Sequence, residues 1–450
     1  MLNQIQELLA ERKFAQIHAL LAEMNPADVA TLFADMEEKD IPLLYRLLPK
    51  ELAAEVFVYM DNDMQELLIR SFSDKELKEI IDDLFLDDTV DLVEEMPANV
   101  VSRILRSANP STRKMINELL KYPEDSAGSL MTIEYVYFQK DITVRDAIAR
   151  LRKVGVDKET IYTCYVTQDR ELIGLVSVKD LLLAADDTVL EDIMETNVIY
   201  VDAYEDKETV ANIFSKYDFI ALPVVDKERR LVGIITVDDA MDVMQQEATE
   251  DIEKMAAITP TDKSYMHTGV WETWGKRIPW LMLLMISATF TGMIITGFEQ
   301  RLAHCVVLTA FIPMLMDTAG NCGSQASVTV IRALSLNDID FRDIFRVIWK
   351  ESRVALLCGV ALAIANFGKM MLIDRLLLSN ESVTPWIALV VCLTLVVTVL
   401  FAKIVGCSLP ILAKRIGFDP AVMASPFITT IVDALSLLVY FRVASTILPL

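Results

Sequence analysis

The sequence predicts a multi-domain fold: an α-helical, superhelical N-terminal domain, a tandem α/β pair, a linker helix, and an all-α domain of five membrane-crossing helices. Three observations carry this prediction. The charge is segregated: residues 1–275 hold 55 acidic and 28 basic side chains, a net of −27, whereas residues 276–450 hold 10 and 14, a net of +4. The acidic part contains two internal repeats of different period. The other part contains five apolar segments, each near the ~20 residues that a hydrocarbon core of ~30 Å demands.

Residues 1–129 form the first domain. "NPADVATLF", "LPKELAAEVF", "FSDKELKEII" and "MPANVVSRIL" each open on Pro, Ser or Asp and continue with apolar residues at helical spacing. Pro26, Pro49, Ser73 and Pro97 mark the four starts, 23, 24 and 24 residues apart. That period fits stacked helix-turn-helix units. Residues 130–246 hold the second repeat. "YVTQDRELIGLVSVKDLLL" (165–183) aligns with "PVVDKERRLVGIITVDDAM" (223–241), so that Val166 matches Val225, Leu172 matches Leu231, Gly174 matches Gly233 and Asp180 matches Asp239. Each copy reads strand, turn, strand, helix, preceded by a short helical pattern. Residues 247–275 read as an acidic linker helix interrupted by "TPTDK". Residues 276–450 hold the spans, roughly 278–298, 303–334, 347–371, 386–412 and 423–448.

Composition excludes several functions. So acidic a chain lacks the basic surface that nucleic acid requires. Five of the six cysteines lie in the apolar half, at no metal spacing, and the three histidines form no cluster. A disulfide framework and a zinc or copper site are therefore unsupported, and a bound metal should be a hard cation with oxygen ligands. The N-terminus "MLNQIQELLAERK" is amphipathic and charged rather than a signal peptide, which predicts a cytoplasmic start. Alternating the spans from there places nine Lys and Arg on the inner side against Arg301, Lys369 and Arg375 outside. This satisfies the positive-inside rule and predicts an external C-terminus.

Asp317 falls inside the second predicted span and Asp433 inside the fifth. An ionised group near the bilayer centre costs at least ~2.5–3.5 kcal/mol, so it normally faces water or a partner. The partner alternative is an ion pair with Lys403 or Arg442. Thr429 and Thr430 precede Asp433 by one helical turn and share its face. Pro426 is expected to disturb the ladder nearby and free carbonyls. In the second span, Gly320 and Gly323 are expected to break the helix, adding backbone oxygens to Asn321, Ser324 and Gln325. Few carboxylates among many neutral oxygens suit Mg²⁺, Ca²⁺ or Mn²⁺. Mg²⁺, which sheds its waters reluctantly, fits best. A divalent ion gains about 4.6 kcal/mol per 100 mV of membrane potential, so no nucleotide motor is needed, and no Walker motif is present. Enzymatic activity is not expected.

"YPEDSAGSLMT", "LVGIITVDDAMDVMQQEATEDI", "GNCGSQ" and "DPAVMASPFITTIVD" occur in this order, and with them the chain resembles the MgtE family of magnesium channels over essentially its full length. The tandem modules look like a pair of CBS domains. The resemblance implies a homodimer with the pore on its two-fold axis, passive Mg²⁺ uptake, and closure when intracellular Mg²⁺ is high. By position it assigns Asp433 to the pore aspartate and Gly320, Asn321 and Gly323 to the break in the second span. The sequence departs from the family pattern at Asp317 and Ala319, where glycine is usual. It departs also at Ser324, where an amide is common, and at Ser425, where asparagine often precedes Pro426.

The resemblance also gives the soluble acids a role. Glu55, Asp87 and Asp91 in the N-domain, with Asp206, Glu208, Asp218, Asp239, Asp242, Glu247, Glu250 and Asp251 in the CBS pair and linker helix, match positions that bind regulatory Mg²⁺. Physically, acids one helical turn apart (Asp87 with Asp91, Glu247 with Asp251) repel, and a bridging divalent ion removes that repulsion. The alternative for any one of them is an ordinary solvated acid. Each CBS copy ends in Ser/Thr-x-x-Asp, Ser177 with Asp180 and Thr236 with Asp239. Such pairs in CBS domains can hold ATP, and a helix cap explains them equally well. Two rival functions stand beside the channel: a channel or exchanger for Mn²⁺, Co²⁺ or Ca²⁺, and a membrane-anchored metal or nucleotide sensor that conducts nothing.

Overall fold

The computed structural model describes residues 1–261, 265, 268–298, 305–423 and 425–448, except for the side chains of residues 51, 157 and 425. Arg301, used above to assign orientation, lies outside the described residues. Two compact units are present, Met1–Met244 and Gln245–Leu450.

In the first unit the 24-residue period is realised as helices Pro26–Ala34, Lys50–Val58, Asp74–Asp83 and Ala98–Ser107, each packed on the next. Their starts explain the repeated residues. Asn25 accepts the N–H of Ala27, and Ser73 exchanges hydrogen bonds with Glu76 in a capping box. Prolines sit at the remaining starts, where no helical N–H is required. One apolar core runs through the repeats, with Phe33, Phe57, Leu68, Leu77, Val90 and Ile104 essentially dry.

The α/β pair follows as two three-stranded sheets. In the first, β1 (Tyr137–Gln139) runs parallel to β2 (Thr163–Gln168), which pairs antiparallel with β3 (Glu171–Ser177). In the second, β4 (Val201–Asp202), β5 (Ala221–Val225) and β6 (Leu231–Thr236) repeat that order. Strands β1 and β4 are too short for alternation to betray them in sequence. The register also differs by one residue from the sequence alignment. Val166 pairs with Gly174, but Val224, not Val225, pairs with Gly233. Gly174 and Gly233 recur for a steric reason. A Cβ at Gly233 would lie 2.7 Å from Met131 Sδ and 2.9 Å from the Thr132 carbonyl. At Gly174 it would lie 2.7 Å from Met194 Sδ and 3.0 Å from the Glu195 carbonyl. Each glycine admits a neighbouring loop segment, which makes an isolated bridge to its sheet.

Helix Val237–Met255 ends before the "TPTDK" interruption. Among the described residues, the second unit contains five helical stretches long and apolar enough to cross a membrane: Val270–Gly297, Val306–Ser335, Phe341–Leu377, Pro385–Arg415 and Pro420–Ile447. The third ends as a π-helix, Met370–Leu377. The fourth packs against the second, third and fifth.

Two expectations are corrected here. The second span does not break: Ile312–Ser335 is one continuous α-helix through Gly320, Asn321 and Gly323. Each glycine costs a helix about 1 kcal/mol, less than leaving backbone groups unpaired in hydrocarbon. The glycines serve close packing instead. A Cβ at Gly323 would meet Ile428 Cγ2 at 3.0 Å, the Ala402 carbonyl at 3.2 Å and Val432 Cγ2 at 3.3 Å, and at Gly320 it would meet Thr429 Cγ2 at 3.0 Å. Nor does Pro426 disturb a ladder. It is the second residue of helix Ser425–Ile447, in the first turn, where backbone N–H groups have no intrahelical acceptor.

Candidate functional site

Side-chain oxygens gather inside the second unit along one helix face. Asp317, Asn321 and Gln325 follow one another at intervals of four residues, which aligns them on the second span, and all three are exposed in the single chain. Ser324 is half-buried beside them. Asp433 reaches this region from the fifth span, within electrostatic range of Asp317. Its Oδ1 is buried and has no hydrogen-bond partner among the described residues. Thr429, one turn earlier, packs on Gly320 and so fixes how the two helices meet. Thr430 instead donates its hydroxyl to the Pro426 carbonyl, 3.0 Å away. The ion-pair alternative with Lys403 is not realised, because Lys403 Nζ lies 3.2 Å from Glu351 Oε2.

A second group of acids forms within the first unit. Asp87 is buried in the first turn of helix Leu86–Glu95, and ligand oxygens of Asp87, Glu134 and Glu159 lie within 4.8 Å of one another. Glu134 Oε2 accepts the Leu86 N–H at 3.2 Å, which fixes the helix start against the segment before β1. Glu159 Oε2 is buried without a hydrogen-bond partner among the described residues. Asp239, in the first turn of helix Val237–Met255, acts electrostatically on Asp87, Asp88 and Asp91. Burial, and then these mutual repulsions, drive the group upward. Asp87 lies well above the usual carboxylate range, and Asp88 is raised to about 7 and Glu159 to about 8. Asp239 is raised to about 6 by burial, against the hydrogen bond from Thr236. Asp91 keeps solvent contact, yet its crowded surroundings and Asp239 raise it to about 8. Converging carboxylates with an orphaned buried oxygen are the donor set that a hard divalent cation requires.

The family resemblance implies Asp87 and Asp91, and their spacing of one helical turn supports it. Asp88, Glu134, Glu159 and Asp238 were missed, since the two glutamates arrive from distant loops and carry no local signal. Other predicted positions stand apart from this group. Glu55 is exposed on helix Lys50–Val58. Asp206 caps helix Lys207–Tyr217 by accepting N–H bonds from Glu208 and Thr209, and Asp218 closes that helix in the left-handed region at φ 54°. Asp242 is exposed on helix Val237–Met255, raised by partial burial and by Asp238. Further along, Glu247 is half-buried, Glu250 lies 2.5 Å from Lys254 Nζ, which also holds Asp419 at 2.6 Å, and Asp251 accepts from Ser335 Oγ at 3.3 Å.

The nucleotide candidates are engaged in capping. Ser177 and Asp180 form a full capping box, with Ser177 Oγ donating to Asp180 Oδ2 at 2.5 Å. Thr236 Oγ1 donates to Asp239 Oδ2 at 2.7 Å. A cavity of about 340 Å³ between the two hairpins is lined by Gln168, Asp169, Glu171, Ile173, Glu228 and Arg230, and by none of those residues.

The raised acids predict a pH effect. Native carboxylates that stay protonated to about pH 8 hold protons that the unfolded chain releases in the ordinary carboxylate range. Cation-free stability therefore falls as pH rises through about 8. Amide protection of helix Leu86–Glu95, measured in chelator, is expected to drop several-fold between pH 6 and pH 8. The drop should vanish in Asp87→Asn/Glu159→Gln.

Fold and site together define a multi-pass membrane protein with a carboxylate inside its bundle and a paired α/β module beside an acidic helical repeat. Comparison with known proteins agrees in each part. Residues 6–125 match the MgtE intracellular N domain, residues 127–187 and 190–246 match CBS domains, and residues 312–443 match the MgtE divalent cation transporter model. The magnesium transporter MgtE of Thermus thermophilus is 38% identical over 89% of this chain and 88% of its own length. That of Bacillus subtilis is 35% identical over 80% and 78%. A crystal structure of the cytosolic domain of the Mg²⁺ channel MgtE in complex with ATP covers 54% of this chain and all of its own, with TM-score 0.52 and 37% identity. The chain belongs to the MgtE family.

Proposed function

We propose that this protein is a channel for passive Mg²⁺ entry, driven by the membrane potential and closed by Mg²⁺ on its cytoplasmic side. The observation that carries the reading is the buried, unpartnered Oδ1 of Asp433, one of the few acids within the spans, facing the polar stripe of Asp317, Asn321 and Gln325. A carboxylate so placed accepts hydrogen bonds from the water shell of a hydrated ion. Neutral oxygens of Asn321, Ser324, Thr429 and Thr430 line the approach, and Gly320 and Gly323 bring the helices close enough to define it. The stripe is exposed in a single chain, which supports a homodimer whose second copy closes the path across a two-fold axis. The N-terminus is then cytoplasmic and the C-terminus external. Transport is passive and the protein is not an enzyme. The transporter names of its relatives support Mg²⁺ as cargo. Uptake into proteoliposomes with Mn²⁺, Co²⁺ and Ca²⁺ as competitors tests that choice; equal flux of all four would overturn it.

Gating rests on the acidic group. A regulatory Mg²⁺ held by Asp87, Glu134 and Glu159, with Asp91 and Asp239 alongside, supplies two positive charges that cancel their repulsion. Without that charge the helix carrying Asp87 and the helix carrying Asp239 push apart, and the soluble part opens. Glu55, Asp206, Glu208, Asp218, Asp242, Glu247, Glu250 and Asp251 are further acids proposed to take part in regulation, and a population shift of the soluble part reaches the spans through the linker helix. Millimolar Mg²⁺ is expected to slow proteolysis of the soluble part about ten-fold, and Asp87→Asn/Asp239→Asn to remove most of that protection. Indifference of the wild type to Mg²⁺ would end the gating proposal. ATP binding at the CBS pair through Ser177, Asp180 and Thr236 is the subsidiary proposal, supported by the relative crystallised with ATP. It requires the capping hydroxyls to exchange partners.

A further inference from the structure

The third span, Phe341–Leu377, opens on a dense set of cations. Arg346, Lys350 and Arg353 follow one another at intervals of four and three residues, which keeps them on one helix face, and Arg342 precedes them in the turn that starts the span. All four are exposed. Phe345 and Trp349 alternate with them and are 82% and 65% exposed. The guanidinium of Arg353 lies over the Trp349 ring, 5.7 Å from its centroid, so cation and aromatic are held together.

Two contrasts single this face out. The first is with the other side of the helix. Gly359 lies nine residues, or two and a half turns, after Lys350 and so on the opposite face, where a Cβ would meet the Val396 backbone of the fourth span at 3.2 Å. The bundle therefore takes one side of the third span and leaves the basic side uncovered. The second contrast is with neighbouring cations. Lys276 donates to the Pro260 carbonyl, Lys414 to the Leu334 carbonyl and Lys403 to Glu351. Arg342 and Lys350 have no such partner among the described residues. Arg346 has only an exposed pair with Asp343, at 3.2 Å, and such pairs hold weakly.

We propose that this face binds the headgroup of an anionic phospholipid. Farther along the same face the exposed residues turn aliphatic, with Leu357, Val360 and Ile364. Cations, then an aromatic ring, then aliphatic side chains is the order met on passing from headgroups into hydrocarbon. Guanidinium groups of Arg342 and Arg353 pair with the phosphate oxygens, and Trp349 and Leu357 lie along the acyl chains. A second copy of this chain fits the face less well, because Glu351, Asp374 and Asp419 of its bundle already hold Lys403, Lys369 and Lys254. Under the orientation proposed above the lipid belongs to the inner leaflet, and binding itself does not depend on that orientation.

Trp349 supplies the test. The full chain carrying Trp271→Phe, Trp274→Phe, Trp280→Phe and Trp386→Phe keeps Trp349 alone. In vesicles its fluorescence is quenched by whichever brominated lipid lies against the ring. Dibrominated phosphatidylglycerol is expected to bind there about ten-fold more tightly than dibrominated phosphatidylcholine, the scale set by a few Lys and Arg beside an anionic headgroup. Lys350→Gln/Arg353→Gln should bring that ratio below about two. Lys276→Gln/Arg277→Gln removes the same charge beside the first span and should leave the ratio unchanged. Equal quenching by both lipids overturns the proposal. So does an equal loss in the two double variants, which marks a general attraction of basic residues to the membrane. Quenching by neither lipid overturns it too, and shows the face covered by protein. Should the single-tryptophan chain not assemble, phosphatidylglycerol adducts are counted by native mass spectrometry on the chain with all its tryptophans, with and without Lys350→Gln/Arg353→Gln. An unchanged count sinks the proposal.

Discussion

Asp433→Ala is expected to reduce Mg²⁺ uptake about a hundred-fold, enough to abolish growth rescue of a cell that lacks every other Mg²⁺ uptake route. The magnitude follows from what the side chain supplies. A hydrogen bond to a charged group contributes up to about 3 kcal/mol, close to two decades in rate. Among the described residues no group satisfies Oδ1 of Asp433, so that interaction is available to an ion and its waters. Asp433→Asn keeps the shape and removes the charge, so it should fall between the two. Rescue by Asp433→Ala at the wild-type level would leave the non-conducting sensor as the better account. Asp317→Ala gives a contrasting result on the same assay. That carboxylate is exposed on the stripe, and its loss is expected to change ion preference more than rate.

The second large effect concerns packing. Gly406→Ala is expected to destabilise the membrane domain by about 3 kcal/mol, the upper end of the range for overpacked cores. The new methyl group would fall on the backbone of Gly323, which cannot rotate aside as a side chain could. Thermal loss of the monodisperse peak in detergent measures the effect. Gly368→Ala is the matched control, since a Cβ there has open space, and it should leave the transition unchanged.

These two residues divide differently between sequence and structure. Asp433 was legible because its signal is local: a carboxylate within a long apolar run is costly wherever the helix packs. Gly323 was noticed for the same reason but assigned the wrong task. A glycine permits both an irregular backbone and a close crossing, and only its neighbours decide between them. Here the carbonyl of Ala402 and the backbone facing Gly406 decide for the crossing. The acidic group shows the same boundary. Asp87 and Asp91 were visible as neighbours on one helix, whereas Glu134 and Glu159 join them only because the chain returns from the α/β pair.

The sequence by itself determined the helical repeat, the tandem module with its recurrent glycines, the five apolar helices and the place of Asp433 within the fifth. All of these are written in periodicity, in turn chemistry, or in the cost of polar groups among apolar ones, and each can be evaluated over a few neighbouring residues. The tertiary structure decided that the second span stays helical, that Glu351 rather than Asp433 receives Lys403, and that acids from three distant segments share one site. Those outcomes depend on which groups meet across helices. Contact energies of that kind are fixed by the packing of the whole unit, and no short window of sequence contains both partners.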